Sequence, residues 1–206
     1  MTILDFIYYA GVFVFAVSGV IIAARKNLDW VGATALALAT SLGGGTFRDL
    51  ILQRPIFWLA DPVNIWTAIG ASVFAIVFLR FFKPPDKSLR LFDAIGLAFF
   101  TILGAEITSV YHDSVIIIVL LSLFTGVLGG VIRDILSNEV PFLFRSTETL
   151  YAVSALIGVV LYLLLSYLQL NITLVNVISI SAIIAIRMAS IYFKLSLPSM
   201  RIKDEF

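Results

Sequence analysis

The hydrophobic positions of this chain do not alternate with polar ones but form long apolar stretches. Each stretch is about 20 residues long, the length that an α-helix needs to cross roughly 30 Å of hydrocarbon. Short polar or proline-containing segments, such as residues 83–87 (KPPDK), separate the stretches. The pattern predicts seven transmembrane helices, at residues 3–24, 30–52, 62–82, 91–110, 114–136, 148–168 and 172–193.

The composition agrees with a chain that has lipid as its solvent. Hydrophobic residues make up 61% of the 206 residues and charged residues 13%, whereas soluble domains are about 45–50% apolar and about 25% charged. The first stretch is too long for the apolar region of a signal peptide and is predicted to be a retained helix. No segment is polar enough for an extramembrane domain. We therefore predict one all-α integral membrane domain over residues 1–206.

Few residues of this chain are suited to catalysis or metal binding. There is no cysteine and only one histidine, His112, in a predicted loop. The predicted helices also contain no paired carboxylates for acid–base chemistry. We therefore expect neither an enzyme nor a metal site. A net charge of +1 gives no sign of a nucleic-acid partner.

The distribution of basic residues predicts the orientation, because lysine and arginine concentrate on the cytoplasmic side of membrane proteins. With the N-terminus outside and the C-terminus in the cytoplasm, eleven basic residues are cytoplasmic and only Arg48 and Arg54 are external. Arg187 lies within the last predicted helix. The eleven are Arg25, Lys26, Arg80, Lys83, Lys87, Arg90, Arg133, Arg145, Lys194, Arg201 and Lys203.

The chain contains an internal repeat with an offset of 85 residues. Residues 15–19 (FAVSG) align with 100–104 (FTILG), and residues 42–50 (LGGGTFRDL) align with 127–135 (VLGGVIRDI). Pro55 then matches Pro141 with one inserted residue.

Each repeat, at 3–82 and 90–168, contains three predicted helices. Since three is an odd number, the second repeat would enter the membrane from the opposite side. The sequence thus predicts two inverted three-helix repeats plus a seventh helix at 172–193, an arrangement typical of transport proteins.

Glycines cluster in the second and fifth predicted helices. Each glycine disfavours a helix by about 1 kcal/mol relative to alanine, so we expect the clusters to loosen or kink these helices and free backbone carbonyls. Such backbone is tolerated at membrane depth where it is packed in protein or lines a wet cavity. Close helix packing is the alternative role, and it is compatible with a kink beside a pore. The glycines are Gly43, Gly44, Gly45, Gly126, Gly129 and Gly130.

Arg48-Asp49 and Arg133-Asp134 follow the two glycine clusters by about one turn. Ionisable groups this deep in a membrane are candidates for function. Inverted repeats would place the two pairs towards opposite ends of one polar path. The alternative is that both pairs snorkel or form interhelical salt bridges at the helix ends.

Weaker polar candidates lie on these and other predicted helices. Glu106, in the fourth predicted helix, either lines the path or reaches the interface. Asp5 and Asp93 begin the first and fourth predicted helices, where a carboxylate is expected to cap the helix. Five hydroxyls are candidates for pore oxygens, although such groups more often bond to their own helix. They belong to Ser18, Thr40, Ser41, Thr46 and Thr125.

At these motifs the sequence resembles the prokaryotic branch of the trimeric intracellular cation (TRIC) channel family. The likeness is carried by residues 43–49 (GGGTFRD) and the degenerate 129–134 (GGVIRD), and it extends over nearly the whole chain. It implies a homotrimer in the prokaryotic inner membrane, with one pore per protomer that passes K⁺ and, less selectively, Na⁺. Kinked second and fifth helices would border the pore. Leu128 replaces a third glycine, so the second kink is expected to be milder. No cofactor is implied, and a bound lipid is left open.

These observations favour a channel in which Asp49, Asp134 and Glu106 attract cations, while Arg48 and Arg133 hold the carboxylates and limit occupancy. The alternative is a secondary transporter of a small zwitterion such as glycine, a label that sequences of this type also carry. A passive scaffold would explain the apolar helices but not the repeated Gly-Gly-x-x-Arg-Asp.

Overall fold

The computed structural model of the protein describes residues 3–85, 87–145 and 150–195. These residues form α-helices joined by short connections, and they contain no strand. The helices are α1 (Ile3–Arg25), α2 (Trp30–Ile51), α3 (Phe57–Ala60), α4 (Val63–Phe81), α5 (Ser88–Tyr111), α6 (Val115–Leu136), α7 (Tyr151–Tyr167) and α8 (Ile172–Phe193), with a 3-10 helix at Phe142–Phe144.

The long helices lie where the apolar stretches predicted them, with ends that differ by at most three residues. Two short elements were not predicted: α3 follows α2, and the 3-10 helix follows α6. Both come directly after an Arg-Asp motif. Residues 148–149 of the sixth predicted helix lie outside the described residues, as do the predicted cytoplasmic Arg201 and Lys203.

Polar residues begin and end the helices by satisfying their terminal backbone groups. The carboxylate of Asp29 accepts a hydrogen bond from the Gly32 amide at the start of α2. Gln53 and Asn138 follow the C-termini of α2 and α6 with positive φ of 51° and 55°, the left-handed conformation that commonly terminates a helix. These two residues are 85 positions apart, so the two helices end in the same way.

The centre of the bundle consists of α1 and α5, the most buried of the long apolar helices. α1 also packs against α2 and α4, α5 against α6 and α8, and α2 against α6. The rings of Phe15 on α1 and Phe100 on α5 stack with centroids 5.3 Å apart. These two residues are again separated by 85 positions.

The distribution of polar and apolar side chains is that of a multi-pass membrane protein. Within the described ranges, five helices are long and apolar enough to cross a membrane, and α7 is a shorter apolar helix of 17 residues. Large apolar side chains such as Trp66 and Val31 are exposed. The bulkiest fully buried side chains are Arg48, Arg133 and Arg187. An apolar surface around buried charge is expected of a protein that is solvated by lipid.

Candidate functional site

The glycine clusters lie where α2 and α6 come into close contact. A Cβ added to Gly44 would collide with the carbonyl oxygen of Thr125 on α6. A Cβ added to Gly129 would lie 2.5 Å from the carbonyl oxygen of Thr40 on α2. The two contacts are related by the repeat, because Gly44 and Gly129 are 85 positions apart and so are Thr40 and Thr125. The two helices therefore approach through equivalent surfaces, as the halves of a symmetric interface do.

The glycines do not break their helices, and a bend of the helix axes at these positions stays a prediction. α2 is helical at every residue from Trp30 to Ile51, α6 is helical from Val115 to Leu136, and no described glycine has a positive φ. Small residues allow helix backbones to approach in bilayers. That gain in packing offsets the poor helix propensity of glycine. The glycines therefore allow α2 and α6 to pack closely.

The other predicted glycines each leave room for a specific side chain. A Cβ on Gly43 would lie 2.5 Å from Ile132 Cδ1, and one on Gly45 would lie 2.5 Å from the Phe57 ring. A Cβ on Gly126 would collide with the Thr101 hydroxyl. Gly130 contacts polar groups instead. A Cβ added to it would lie 2.9 Å from Asp93 Oδ1 and 3.0 Å from the Tyr151 hydroxyl.

The first Arg-Asp motif forms a fully buried ion pair. Arg48 Nε donates to Asp49 Oδ1 at 2.8 Å, and Arg48 Nη2 lies 2.7 Å from the same oxygen. Arg48 Nη2 also donates to the Tyr8 hydroxyl on α1 at 2.8 Å. Asp49 Oδ2 accepts the backbone amide of Phe57 at 2.8 Å, which fixes the start of α3. The motif therefore joins α2, α1 and the segment after α2.

The second Arg-Asp motif repeats these contacts. Arg133 Nε donates to Asp134 Oδ1 at 2.8 Å, and Asp134 Oδ2 accepts the Phe142 amide at 3.0 Å. Phe57 and Phe142 are 85 positions apart, so the offset continues unchanged through this segment. The residue that we expected to be inserted before Pro141 is therefore absent, and Pro55 and Pro141 occupy different positions of the repeat.

The third partner of each arginine distinguishes the two motifs. Arg133 Nη1 donates to Asp93 Oδ1 at 2.8 Å and to Ser18 Oγ at 3.1 Å. Asp93 is the repeat equivalent of Tyr8. We expected Asp93 to cap a helix, but α5 begins at Ser88, so Asp93 lies in its second turn and is fully buried. The sequence signal that could have identified it is the offset of 85 applied to Tyr8.

The predicted hydroxyls bond mainly to their own helices. Ser41 donates to Ala37 O at 2.8 Å and Thr125 to Leu121 O at 2.6 Å. Thr46 donates to Leu42 O at 2.7 Å. The Thr46 oxygen also accepts the indole N–H of Trp58 at 2.8 Å. Each of these three hydroxyls thus bonds to a carbonyl of its own helix, and a role as pore oxygens stays a prediction.

Glu106 does not meet either Arg-Asp motif. Its carboxylate is partly buried and accepts a hydrogen bond from the Asn176 side chain on α8 at 2.7 Å. The contact joins α5 to the last helix. The remaining predicted site residues lie on α2 and α6, so the structure brings those together and leaves Glu106 apart.

A further ion-pair network lies just beyond the end of α6. Glu139 meets Lys26 Nζ at 2.5 Å and Arg145 Nη2 at 3.1 Å. The hydrogen bond from Lys26 and its positive charge lower the pKa of the Glu139 carboxyl below its ordinary value. This network joins the end of α1 to the segment after α6.

Known proteins match this architecture over almost the whole chain. The TRIC trimeric intracellular cation channel orthologue from Rhodobacter sphaeroides superposes with a TM-score of 0.88 at 30% identity, covering 95% of this chain and all of that one. A structure that explains conductance through TRIC cation channels gives 0.85 at 37% identity, covering 98% and 99%. A family model described as "Glycine transporter" matches residues 5–80 and 90–167. The chain belongs to the prokaryotic TRIC family.

Other members of the TRIC family carry names that state only their location. A UPF0126 membrane protein of Vibrio cholerae is 36% identical over 196 residues, covering 92% of this chain and 79% of its own length. The UPF0126 inner membrane protein YadS of Escherichia coli K12 is 34% identical over 199 residues, covering 94% of each chain.

Proposed function

We propose that this TRIC-family protein is a channel for monovalent cations in a prokaryotic inner membrane. The observation that carries the proposal is the likeness to solved TRIC cation channels at 30–37% identity over at least 95% of the chain. Those solved structures are of ion channels, so the protein is not proposed to be an enzyme. K⁺ is the proposed main permeant ion, with Na⁺ passing less selectively.

The finer architecture is proposed as predicted from the sequence. It has seven membrane spans, in two inverted three-helix repeats and a last helix, with the N-terminus outside. The repeated hydrogen bonds at Asp49 and Asp134 and the reciprocal contacts at Gly44 and Gly129 support the repeats. A homotrimer with one pore per protomer is supported by the trimeric relative from R. sphaeroides.

The buried motifs suggest a different division of labour from the one that the sequence favoured. Both oxygens of Asp49 and of Asp134 already accept hydrogen bonds within the protein. We propose that these two carboxylates hold α3 and the 3-10 helix against the ends of α2 and α6. In this view the two arginines shape the path rather than meet the permeant ion.

A secondary transporter of a small zwitterion is the second candidate. The description of the matching family model, which names glycine, is the observation that favours it. A transporter would show saturable flux and alternate between two access states, whereas a channel passes many ions for each opening. The bound zwitterion would need a free cationic group, but Arg48 and Arg133 already face carboxylates at 2.7–2.8 Å.

Single-channel recording of the purified protein in a planar bilayer with asymmetric KCl tests the proposal. Discrete openings that reverse near the K⁺ equilibrium potential are expected. The same preparation in liposomes serves as the control for glycine uptake. A silent bilayer together with saturable glycine uptake would overturn the channel in favour of the transporter.

A further inference from the structure

The carboxylates of the two buried motifs differ in how many of their oxygens are satisfied. Asp49 and Asp134 use both oxygens, whereas Asp93 uses only Oδ1, which accepts from Arg133 at 2.8 Å. Asp93 Oδ2 is buried and receives no hydrogen bond from any residue that the structure describes. A buried acceptor left in this state is costly. This oxygen is therefore available to a partner from outside the protein.

The surroundings of Asp93 are rich in oxygen atoms. The Tyr151 hydroxyl and Asp93 Oδ1 both border Gly130, which has no Cβ to fill the space between them. Ser18 Oγ reaches the same arginine at 3.1 Å. Carboxylate and hydroxyl oxygens can replace part of the hydration shell of a cation. Arg133 Nη2 also borders this space, 3.7 Å from a Cβ added to Gly130, so a cation here would contact the oxygens on the side away from the guanidinium.

The charge of this cluster suits a weakly held monovalent ion. Arg133 lies between the carboxylates of Asp93 and Asp134, and with Arg187 nearby these four groups carry no net charge. Arg187 approaches from another side, with its guanidinium 4.8 Å from the centre of the Tyr151 ring. This second positive charge opposes tight binding. Conduction requires an ion to leave as readily as it enters.

Two more unsatisfied hydroxyls lie on the same helix as Asp93. The oxygens of Thr101 and Thr108 are buried and make no hydrogen bond among the described residues. They follow Asp93 by 8 and 15 positions, about 22 Å along a regular helix for the longer interval. At 3.6 residues per turn the three side chains fall within a sector of about 80°. α5 thus carries one stripe of unpaired oxygens across most of its length.

We propose that Asp93 Oδ2 is the cation-binding station of the permeation path, and that the α5 stripe of Thr101 and Thr108 continues this path through the membrane. The inference rests on the proposed channel function and names the residues that contact the ion. It assigns ion contact to α5 instead of the Arg-Asp motifs of α2 and α6. The relevant ligand class is a partly dehydrated monovalent cation.

The first test replaces Asp93 with asparagine, which keeps an oxygen for Arg133 but removes the charge. We expect the K⁺ conductance to fall about fivefold, the effect of one nearby charge in a wet path. The reversal potential in asymmetric KCl should also move towards zero. Asp113→Asn is the matched control, because Asp113 is exposed in the α5–α6 loop. That variant should leave conductance and selectivity as in the wild type.

The second test separates ion contact from a purely structural role. Thr101→Val removes a hydroxyl that has no partner, so it should lower the conductance while leaving the melting temperature unchanged or higher. This variant remains informative even if Asp93→Asn fails to fold. Crystals of the wild type soaked in Rb⁺, a stand-in for K⁺, should show anomalous density beside Asp93 that Asp93→Asn lacks.

Several outcomes would overturn the inference without touching the channel itself. One outcome is that the wild type conducts and that Asp93→Asn and Thr101→Val have the same selectivity as the wild type. Another is an infrared band of a protonated carboxyl that Asp93→Asn removes, because a proton would then occupy Oδ2 in place of a cation. A wild type without any current would instead contradict the proposed function.

Discussion

The two Arg-Asp motifs have the same hydrogen-bonding frame but different third partners. In the first motif the arginine meets a tyrosine hydroxyl, and in the second it meets another carboxylate. The first motif also has a second arginine, Arg54, whose Nε lies 3.7 Å from Asp49 Oδ1, whereas the second motif has a second carboxylate. Two repeats of one fold have kept the contacts that hold the backbone and diverged at the position that sets the local charge.

The largest expected effect comes from neutralising the paired aspartates. Asp49→Asn leaves Arg48 buried with only the Tyr8 hydroxyl and a neutral amide, so we expect a loss of about 3–5 kcal/mol in unfolding free energy. The loss for Asp134→Asn should be smaller than that for Asp49→Asn by at least about 1 kcal/mol, because Arg133 keeps Asp93 as a full counter-charge. Thermal unfolding in detergent measures both. Equal losses for the two variants would show that the third partners are energetically equivalent.

The close contact between α2 and α6 is the next place to test the equivalence of the two repeats. Gly44→Ala and Gly129→Ala each place a Cβ against a backbone carbonyl, so each should destabilise the protein by about 1–3 kcal/mol.

Gly70→Ala on α4 is the matched control for these variants. No atom lies within 4 Å of its added Cβ, so the better helix propensity of alanine should leave the protein equally or more stable. If Gly44→Ala behaved like Gly70→Ala in thermal unfolding, the helices would not be in backbone contact at this point.

A smaller effect is expected at the neutral partner of the first motif. Tyr8→Phe removes the hydroxyl that accepts from Arg48 at 2.8 Å, while the ring can keep its stacking on Phe57. The loss should be about 1 kcal/mol, since Arg48 retains Asp49. Single-channel conductance should be unchanged. A reduced conductance in Tyr8→Phe would mean that the first motif also contacts the ion.

The smallest effect concerns the ion pairs of Glu139 with Lys26 and Arg145. Because folding lowers the pKa of this carboxyl, its contribution to stability is complete above the ordinary glutamate pKa of about 4.3 and is lost as the pH falls through the lower folded value. The side chains are about one-third exposed, so the effect should stay below about 1 kcal/mol and weaken in high salt. Glu139→Gln should flatten this part of the profile of melting temperature against pH.

The sequence predicted the long helices well because their positions follow from apolar length alone. It also identified Arg48, Asp49, Arg133 and Asp134, because charged residues are conspicuous in an apolar stretch. The role of the glycines could not be decided in this way, since a mid-helix glycine is equally compatible with a bend and with a close contact. The positions of the Thr40 and Thr125 carbonyls show the close contact, whereas the bend stays a prediction.

Asp93 was assigned the wrong role for a different physical reason. Its partner Arg133 is 40 residues away along the chain, and no local pattern specifies such a contact. A predicted helix start three residues too late also placed Asp93 at a helix end, where capping is the ordinary explanation. Its repeat equivalent is a tyrosine, so the self-alignment did not mark it as a matching residue.

The adjacency of arginine and aspartate in each motif has a consequence for biosynthesis. Arg48 and Arg133 each carry their counter-charge on the next residue, so α2 and α6 can enter the bilayer as locally neutral segments. The stretch Ile172–Phe193 contains Arg187 but no acidic residue. An arginine at the centre of a helix adds about 2.5–3.5 kcal/mol to the cost of insertion, and Arg187, about one turn from the centre, adds part of that cost. We therefore expect the translocon to release the last helix only once earlier helices are present to receive its arginine.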